Sequence, residues 1–313
     1  MTSIASRRRT LAALLGLALA GVATSASSAS SATATAAAER ARPLRVVATF
    51  SILADMARVV GGDAVQVDAL VGPDGDAHVF EPRPVDARRL AEADLVLANG
   101  LGFEGWVDRL VKTSGYRGPV VVASAGITAR RERLSLDPHA WQDLAHARRY
   151  VTNLRDAFVH ARPASAEDIR GRADRYLAQI ADLDARVRAV FEGIPAAHRR
   201  VITSHDAFGY FADAYGIRFL APQGMNTDSE ASAATVARLV DQIRKEGVQA
   251  VFVENITNPR LIERIAREGG ATVGPRLYSD ALSAPGTAAD TYLKMFAHNA
   301  DAIAAALTAP SPR

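Results

Sequence analysis

Three of the seven histidines in this sequence sit beside turn-forming or strand-ending residues: His78 in GDAHVFEP, His139 in LDPHAWQD and His205 in ITSHDAFGYF. An imidazole in such a loop can turn a ring nitrogen away from regular backbone, to coordinate a metal ion or to move a proton. The chain has no cysteine, so any metal site must be built from His, Asp and Glu, a donor set that four-coordinate zinc accepts. Two carboxylates stand in matching places. Asp280 in GATVGPRLYSDALS and Glu254 in VFVENITN each lie at the end of a strand-like run. Asp280 is the preferred fourth ligand, and Glu254 remains a competitor or an acid that supports a ligand from behind. Taken singly, each residue also reads as a loop histidine or a capping aspartate; their joint placement is what points to metal. His146, His160, His198 and His298 lie in charged or alanine-rich helical sequence and read as surface or partly buried residues.

The elements that must position these side chains follow from periodicity. A β-rich run from Leu44 to Ala48 leads into a helical pattern with Ile52, Met56 and Val59 on one side, closed by Gly61-Gly62. The strand VQVDALV precedes the His78 loop. A helix from about Pro84 to Glu92, a strand from Leu95 to Ala98, a helix around Trp106 to Lys112 and the strand PVVVAS follow. Such alternation predicts a parallel sheet with helices on both faces. From Pro163 the pattern changes. Ile169, Ala173, Tyr176, Ile180, Leu183, Val187 and Val190 recur at steps of four and three, which predicts one long amphipathic helix with Ser165 as N-cap. It is too long for a crossover and reads as a rigid spine. Afterwards RRVITSHDAFGYFADAYGI repeats the pattern of LRVVATFSILADMARVVGG, strand, polar break, helix and glycine stop.

The expected fold is therefore α/β, with two lobes, each a parallel sheet flanked by helices, joined by one long rigid helix. The N-terminal lobe spans 39–162, the linking helix 163–193 and the C-terminal lobe 194–313. His78 and His139 fall in the first lobe, His205 and Asp280 in the second, and the cleft between lobes is where a ligand belongs.

Bulk properties set the compartment and exclude some partners. Arg7, Arg8 and Arg9 precede the apolar run LAALLGLALAGVA, and small A-x-A patterns follow, as in a secretory signal peptide. Residues 1–38 read as that signal and a disordered low-complexity leader. SRRRTL partly fits a twin-arginine signal, but ordinary secretion fits as well. The run falls short of the ~20 apolar residues that span a bilayer. Of 37 basic residues, those three removed leave 34 against 34 acidic. A neutral body gives no reason to expect nucleic acid or an anionic membrane as partner. Without cysteine there is no disulfide, thiolate ligand or lipid-bearing cysteine. The expectation is a periplasmic protein.

GDAHVFEP, DPHAWQD, SHDAFGYFADAYG and LYSDALS, in this order around one long helix, resemble the zinc/manganese solute-binding proteins of bacterial ABC transporters, the cluster A-I group. The resemblance runs from about Leu44 to Leu307. It implies two α/β lobes on a rigid helix with a metal between them, and the ligands His78, His139, His205 and Asp280. That set favours Asp280 over Glu254. It also implies zinc, because histidine in the third position goes with zinc and glutamate there with manganese; three imidazoles and one carboxylate suit zinc on chemical grounds too.

The resemblance implies a receptor that hands Zn²⁺ to an ABC transporter permease for import, reaching the membrane only through that permease. The protein is expected to be a monomer and not an enzyme. Many zinc members carry a histidine-rich loop before the second motif; ASAGITARRERLSLDPH is short, basic and free of extra histidine. A periplasmic metallochaperone could load the protein instead. The rival readings are a manganese or iron receptor of the same family, a zinc hydrolase, and a metal-dependent adhesin. The hydrolase suffers from having four protein ligands, no H-E-x-x-H helix and no open metal position.

Overall fold

The computed structural model describes residues 42–132, 135–248 and 250–309; the signal and leader expected for residues 1–38 lie outside the described residues. Strand β1 (Leu44–Phe50) is buried at six of its seven positions, as befits the middle of a parallel sheet covered on both faces. Helix α1 (Ser51–Gly61) follows directly, then β2 (Val65–Val71), α2 (Pro84–Ala91), β3 (Leu95–Ala98), α3 (Val107–Ser114) and β4 (Val120–Val122). The four strands are parallel in the order β2-β1-β3-β4. A short antiparallel hairpin, β5 (Arg131–Glu132) and β6 (Ser135–Leu136), precedes α4 (Leu144–Ala161).

The long helix α5 covers Ala166–Glu192. Ser165 stands at its N-cap position, but its side chain accepts no backbone N–H. A capping residue ordinarily has extended backbone; Ser165 closes a preceding 3-10 turn, Pro163–Ser165, and has φ −107° and ψ 12°. The buried face also departs from expectation at its end. Phe191 is buried and Val190 is 37% exposed, because a step of four from Val187 stays closer to a 3.6-residue period than the expected step of three. Leu183 is partly buried against the core.

Beyond α5 come β7 (Arg200–Ile202), α6 (Gly209–Tyr215), β8 (Arg218–Leu220), α7 (Ala233–Glu246), β9 (Ala250–Val251), α8 (Arg260–Gly269), β10 (Thr272–Val273) and α9 (Tyr292–Thr308). This sheet is also parallel, in the order β10-β9-β7-β8. Numbered within its own half, each sheet has its second strand beside its first, then its third and fourth. The repeated sequence pattern therefore corresponds to a repeated topology.

Packing joins the halves. One apolar cluster runs from β1 and α1 through Trp141, Tyr150 and Leu154, along α5, and into Phe208, Phe211, Tyr292 and Phe296. A smaller one, with Ile202, Leu239, Val251 and Ile265, lies between the other face of the second sheet and α7 and α8. Helix α9 folds back on the first half: Tyr292 donates its backbone N–H to Asp55 Oδ2 at 2.8 Å and its hydroxyl to Trp141 O at 2.6 Å. No helix among the described residues is long and apolar enough to cross a membrane.

Candidate metal centre

His78, His139, His205 and Asp280 converge, each offering one ligand atom, with these atoms within 4.8 Å of one another. His78 belongs to the loop after β2. His139 immediately precedes a 3-10 turn, Ala140–Gln142, that leads into α4. His205 lies after β7 in an irregular stretch, and the following helix α6 starts at Gly209, which is the polar break between strand and helix that the sequence pattern predicts. Asp280 follows a parallel bridge between Leu277 and Glu254 that extends the second sheet past β9 and β10.

His78 Nε2 is 3.3 Å from His139 Nε2 and 3.2 Å from Asp280 Oδ2. His205 Nε2 is 3.1 Å from the same oxygen, and His139 Nε2 is 3.6 Å from Asp280 Oδ1. A tetrahedral cation with bonds of 2.0–2.1 Å separates its ligand atoms by about 3.3–3.4 Å, so the spacing fits a small divalent ion at the centre. Both oxygens of Asp280 and Nε2 of His205 are buried without a well-formed hydrogen bond. Leaving a carboxylate in that state is costly unless a cation compensates it.

Carboxylates hold two of the rings from behind. Asp137 Oδ1 takes the ring Nδ1–H of His139 at 2.8 Å and its backbone N–H at 3.0 Å. Glu254 Oε2 lies 2.5 Å from Nδ1 of His205, and Glu254 Oε1 accepts the His205 backbone N–H at 2.9 Å. A proton on Nδ1 leaves the Nε2 lone pair aimed inward. Asp137 is itself anchored across the molecule. Arg130 Nη1 donates to its Oδ2 at 2.8 Å, Arg130 Nε donates to Asp213 on α6 at 2.6 Å, and Tyr210 donates its hydroxyl to Asp137 O at 2.9 Å. Gly209 makes room for this. A Cβ there would run into the Arg130 guanidinium and lie 2.7 Å from Asp137 Oδ2.

Burial pushes the His139 imidazole below its ordinary range, against the pull of Asp280 and Asp137. His205 is also fully buried, but Glu254 and Asp280 outweigh that and raise it well above the usual value. For Asp280, burial acts upward, yet the neighbouring His205 and His139 hold it well below the usual carboxylate range. The shifts of His205 and Asp280 run in opposite directions, as befits an imidazole and a carboxylate that face each other at 3.1 Å.

Aromatic rings wall the site. Phe103 stands edge-on to His78 at 4.7 Å, and Trp141 lies 5.4 Å from His139. Trp106 donates its indole N–H to Ala77 O, and Trp141 donates to Ser279 O, both at 2.8 Å. Gln142 adds a second bond to Ser279 O at 2.7 Å. Glu254, expected as competitor or support, sits behind His205 and outside the converged set. Sequence reasoning missed Asp137, Arg130, Tyr210 and both indole clips. The repeated Asp-x-His spacing of Asp76–His78 and Asp137–His139 was the available signal for the first of these.

Two α/β halves of one topology on a long helix, with a buried His₃Asp cluster contributed by both, define a metal-binding solute receptor. A family model described as zinc-uptake complex component A, periplasmic, matches residues 46–306, and the chain belongs to that family, whose members serve cluster A-I ABC transporters. The chain is 34% identical over 274 residues to the manganese-binding lipoprotein MntA of Bacillus subtilis, covering 84% of this chain and 90% of that protein. It is 32% identical over 271 residues to the iron-binding protein YfeA of Yersinia pestis, covering 85% and 87%. Among solved structures, the periplasmic zinc-binding protein TroA of Treponema pallidum superimposes with a TM-score of 0.82 at 31% identity, over 86% of this chain and 100% of that one.

Proposed function

We propose that this protein is a zinc receptor working outside the cytoplasm, with His78, His139, His205 and Asp280 as the ligands and an ABC transporter permease as the destination of the ion. The donor set carries the reading: three imidazole nitrogens and one carboxylate, with imidazole rather than carboxylate contributed by position 205. Such a set suits zinc better than manganese, which favours more oxygen. Capture draws three Nε2 donors and an Asp280 oxygen around Zn²⁺, which competes with protons for the imidazoles. Asp137 and Glu254 hold two of the rings in the metal-binding tautomer throughout. With Asp280 they carry three negative charges, which the two of the ion and the one of Arg130 on Asp137 bring close to neutral.

The protein acts as a carrier and performs no chemistry on its cargo, since four protein ligands leave the ion without a position for substrate. Its signal-like N-terminus and the family's periplasmic description support the location.

The test is His205→Ala, which should weaken zinc binding by orders of magnitude in a titration calorimeter while the circular dichroism spectrum stays unchanged. Retained affinity sinks the assignment. A manganese or iron receptor is the second reading, supported by relatives of similar identity that are named for those metals. Competition at equal free metal separates the two, and His205→Glu should move the preference toward manganese.

A further inference from the structure

The carboxylate of Asp76 is bonded to two parts of the molecule at once. Its Oδ1 accepts the backbone N–H of His78 at 2.9 Å, and its Oδ2 accepts the hydroxyl of Thr227 at 2.6 Å. Thr227 lies in segment 221–232, which links β8 to α7 in the second half. That segment also leans on the neighbours of another ligand. Gly224 O accepts the N–H of Asp206 at 3.2 Å, and Gln223 donates its N–H to Ser204 O at 3.4 Å, on either side of His205. One carboxylate therefore joins the His78 loop to a segment seated beside His205.

The segment also lines a cleft that reaches His78. Gly224, Met225 and Asn226 line, together with Leu101, Leu136 and His78, this cleft of about 880 Å³. His78 is the ligand at this cleft; the side chains of His139, His205 and Asp280 are fully buried. Among the described residues, no carboxylate holds the His78 ring from behind as Asp137 and Glu254 hold the other two. The position of His78 depends instead on its backbone. That backbone is set by the turn which Asp76 closes, an aspartate bonded two residues on.

We propose that Asp76 is a positioning residue for metal binding: steadied by Thr227, it holds the His78 loop against the second half and slows escape of the ion through the cleft. This rests on His78 being a ligand. Without the Thr227 hydroxyl, Asp76 still closes its own turn. Asp74 still ties the loop down, accepting from Asn255 Nδ2 at 2.9 Å and donating its backbone N–H to Leu282 O at 2.9 Å. The site at rest survives, but His78 swings away more often. The consequence falls on release, with capture little changed.

The full chain loaded with zinc is mixed with excess fluorescent zinc chelator in a stopped-flow instrument. Thr227→Val should release zinc about tenfold faster, the factor that ~1.4 kcal/mol produces. Its association rate and metal-free melting temperature should match those of the wild type, and Thr227→Ser should restore slow release. Asp76→Ala should also speed release, and adding Thr227→Val to it should change little, because the linkage is already gone. Wild-type release from Thr227→Val, or independent effects in the double variant, overturns the role of Asp76. A wild-type chain that takes up no zinc, or a His78→Ala variant with wild-type release, overturns the reading of the site itself. These outcomes are distinguishable, since Thr227→Val can fail while the wild type and His78→Ala behave as expected.

Discussion

Asp76–Ala77–His78 and Asp137–Pro138–His139 are two uses of one short pattern, and they begin alike. In both, the aspartate accepts the backbone N–H of the histidine two residues on, at 2.9 and 3.0 Å. They then diverge. Asp137 also takes the ring N–H of its own histidine and spends its other oxygen on Arg130. Asp76 leaves the ring alone and reaches across to Thr227. The Asp137 loop makes a deep, fixed ligand; the Asp76 loop makes a ligand at the cleft whose placement depends on the opposite half. Identical local chemistry gives a post in one case and a hinge point in the other, according to where the second carboxylate oxygen goes.

Acidification should produce the largest change and separate the ligands by their surroundings. His205 is raised well above its ordinary value by Glu254 and Asp280, whereas His139 is lowered by burial. Protons should therefore compete with zinc more strongly at His205 than at His139. Calorimetry in buffers of different ionisation heat should find net proton release on zinc binding. From pH 8 to 5 zinc affinity should fall by orders of magnitude in a competition titration; a flat profile counts against imidazole ligation. Stability of the metal-free protein should follow the same groups. The His205 contribution is full below the unfolded value of about 6.5 and is lost as pH climbs through the raised one. The Asp280 contribution holds above its unfolded value and is lost only as pH falls through its lowered one. Urea melts at rising alkaline pH should accordingly show the metal-free form weakening.

Next in size is Asp137→Ala. Removing the acceptor behind His139 should cost about 10–100-fold in zinc affinity at equilibrium, measured by chelator competition. Thr227→Val should act chiefly on release; if Asp137→Ala weakens binding no more than Thr227→Val does, the contrast between the loops collapses. Gly209→Ala should be milder, a few-fold loss, by forcing Arg130 off Asp137. Its effect should shrink in an Arg130→Ala background, where only the close approach to Asp137 Oδ2 remains. Smallest should be Asn255→Ala, which removes one tether of the His78 loop at a partly exposed place. Affinity should stay within a factor of about two or three, as for surface substitutions.

Much of the centre was legible because its ligands sit at breaks in strong apolar periodicity. The ends of β2 and β7 and the turn at Asp137-Pro138 mark His78, His205 and His139, and the recurrence of the α/β pattern places them on two halves. Topology was legible for the same reason, since alternating strands and helices admit few arrangements. What escaped was contact at long sequence separation. Arg130 meets Asp213, Thr227 meets Asp76 and Trp141 meets Ser279, and nothing local in those residues announces a partner 83, 151 or 138 positions away. The end of the long helix was misread on a finer point. Steps of three and four both continue an amphipathic face, and the step of four, closer to the 3.6-residue period, buries Phe191 and leaves Val190 outside.

The chain has two tryptophans, and each indole N–H is bonded to the carbonyl just before a metal-site residue, Ala77 before His78 and Ser279 before Asp280. The indole emission of this protein thus originates at two seams of the centre. Opening of either seam should alter the colour of the emitted light without any label. A paramagnetic ion such as Mn²⁺ at the centre should darken it, while Zn²⁺ should leave it bright, so the protein carries its own optical gauge of which metal it holds.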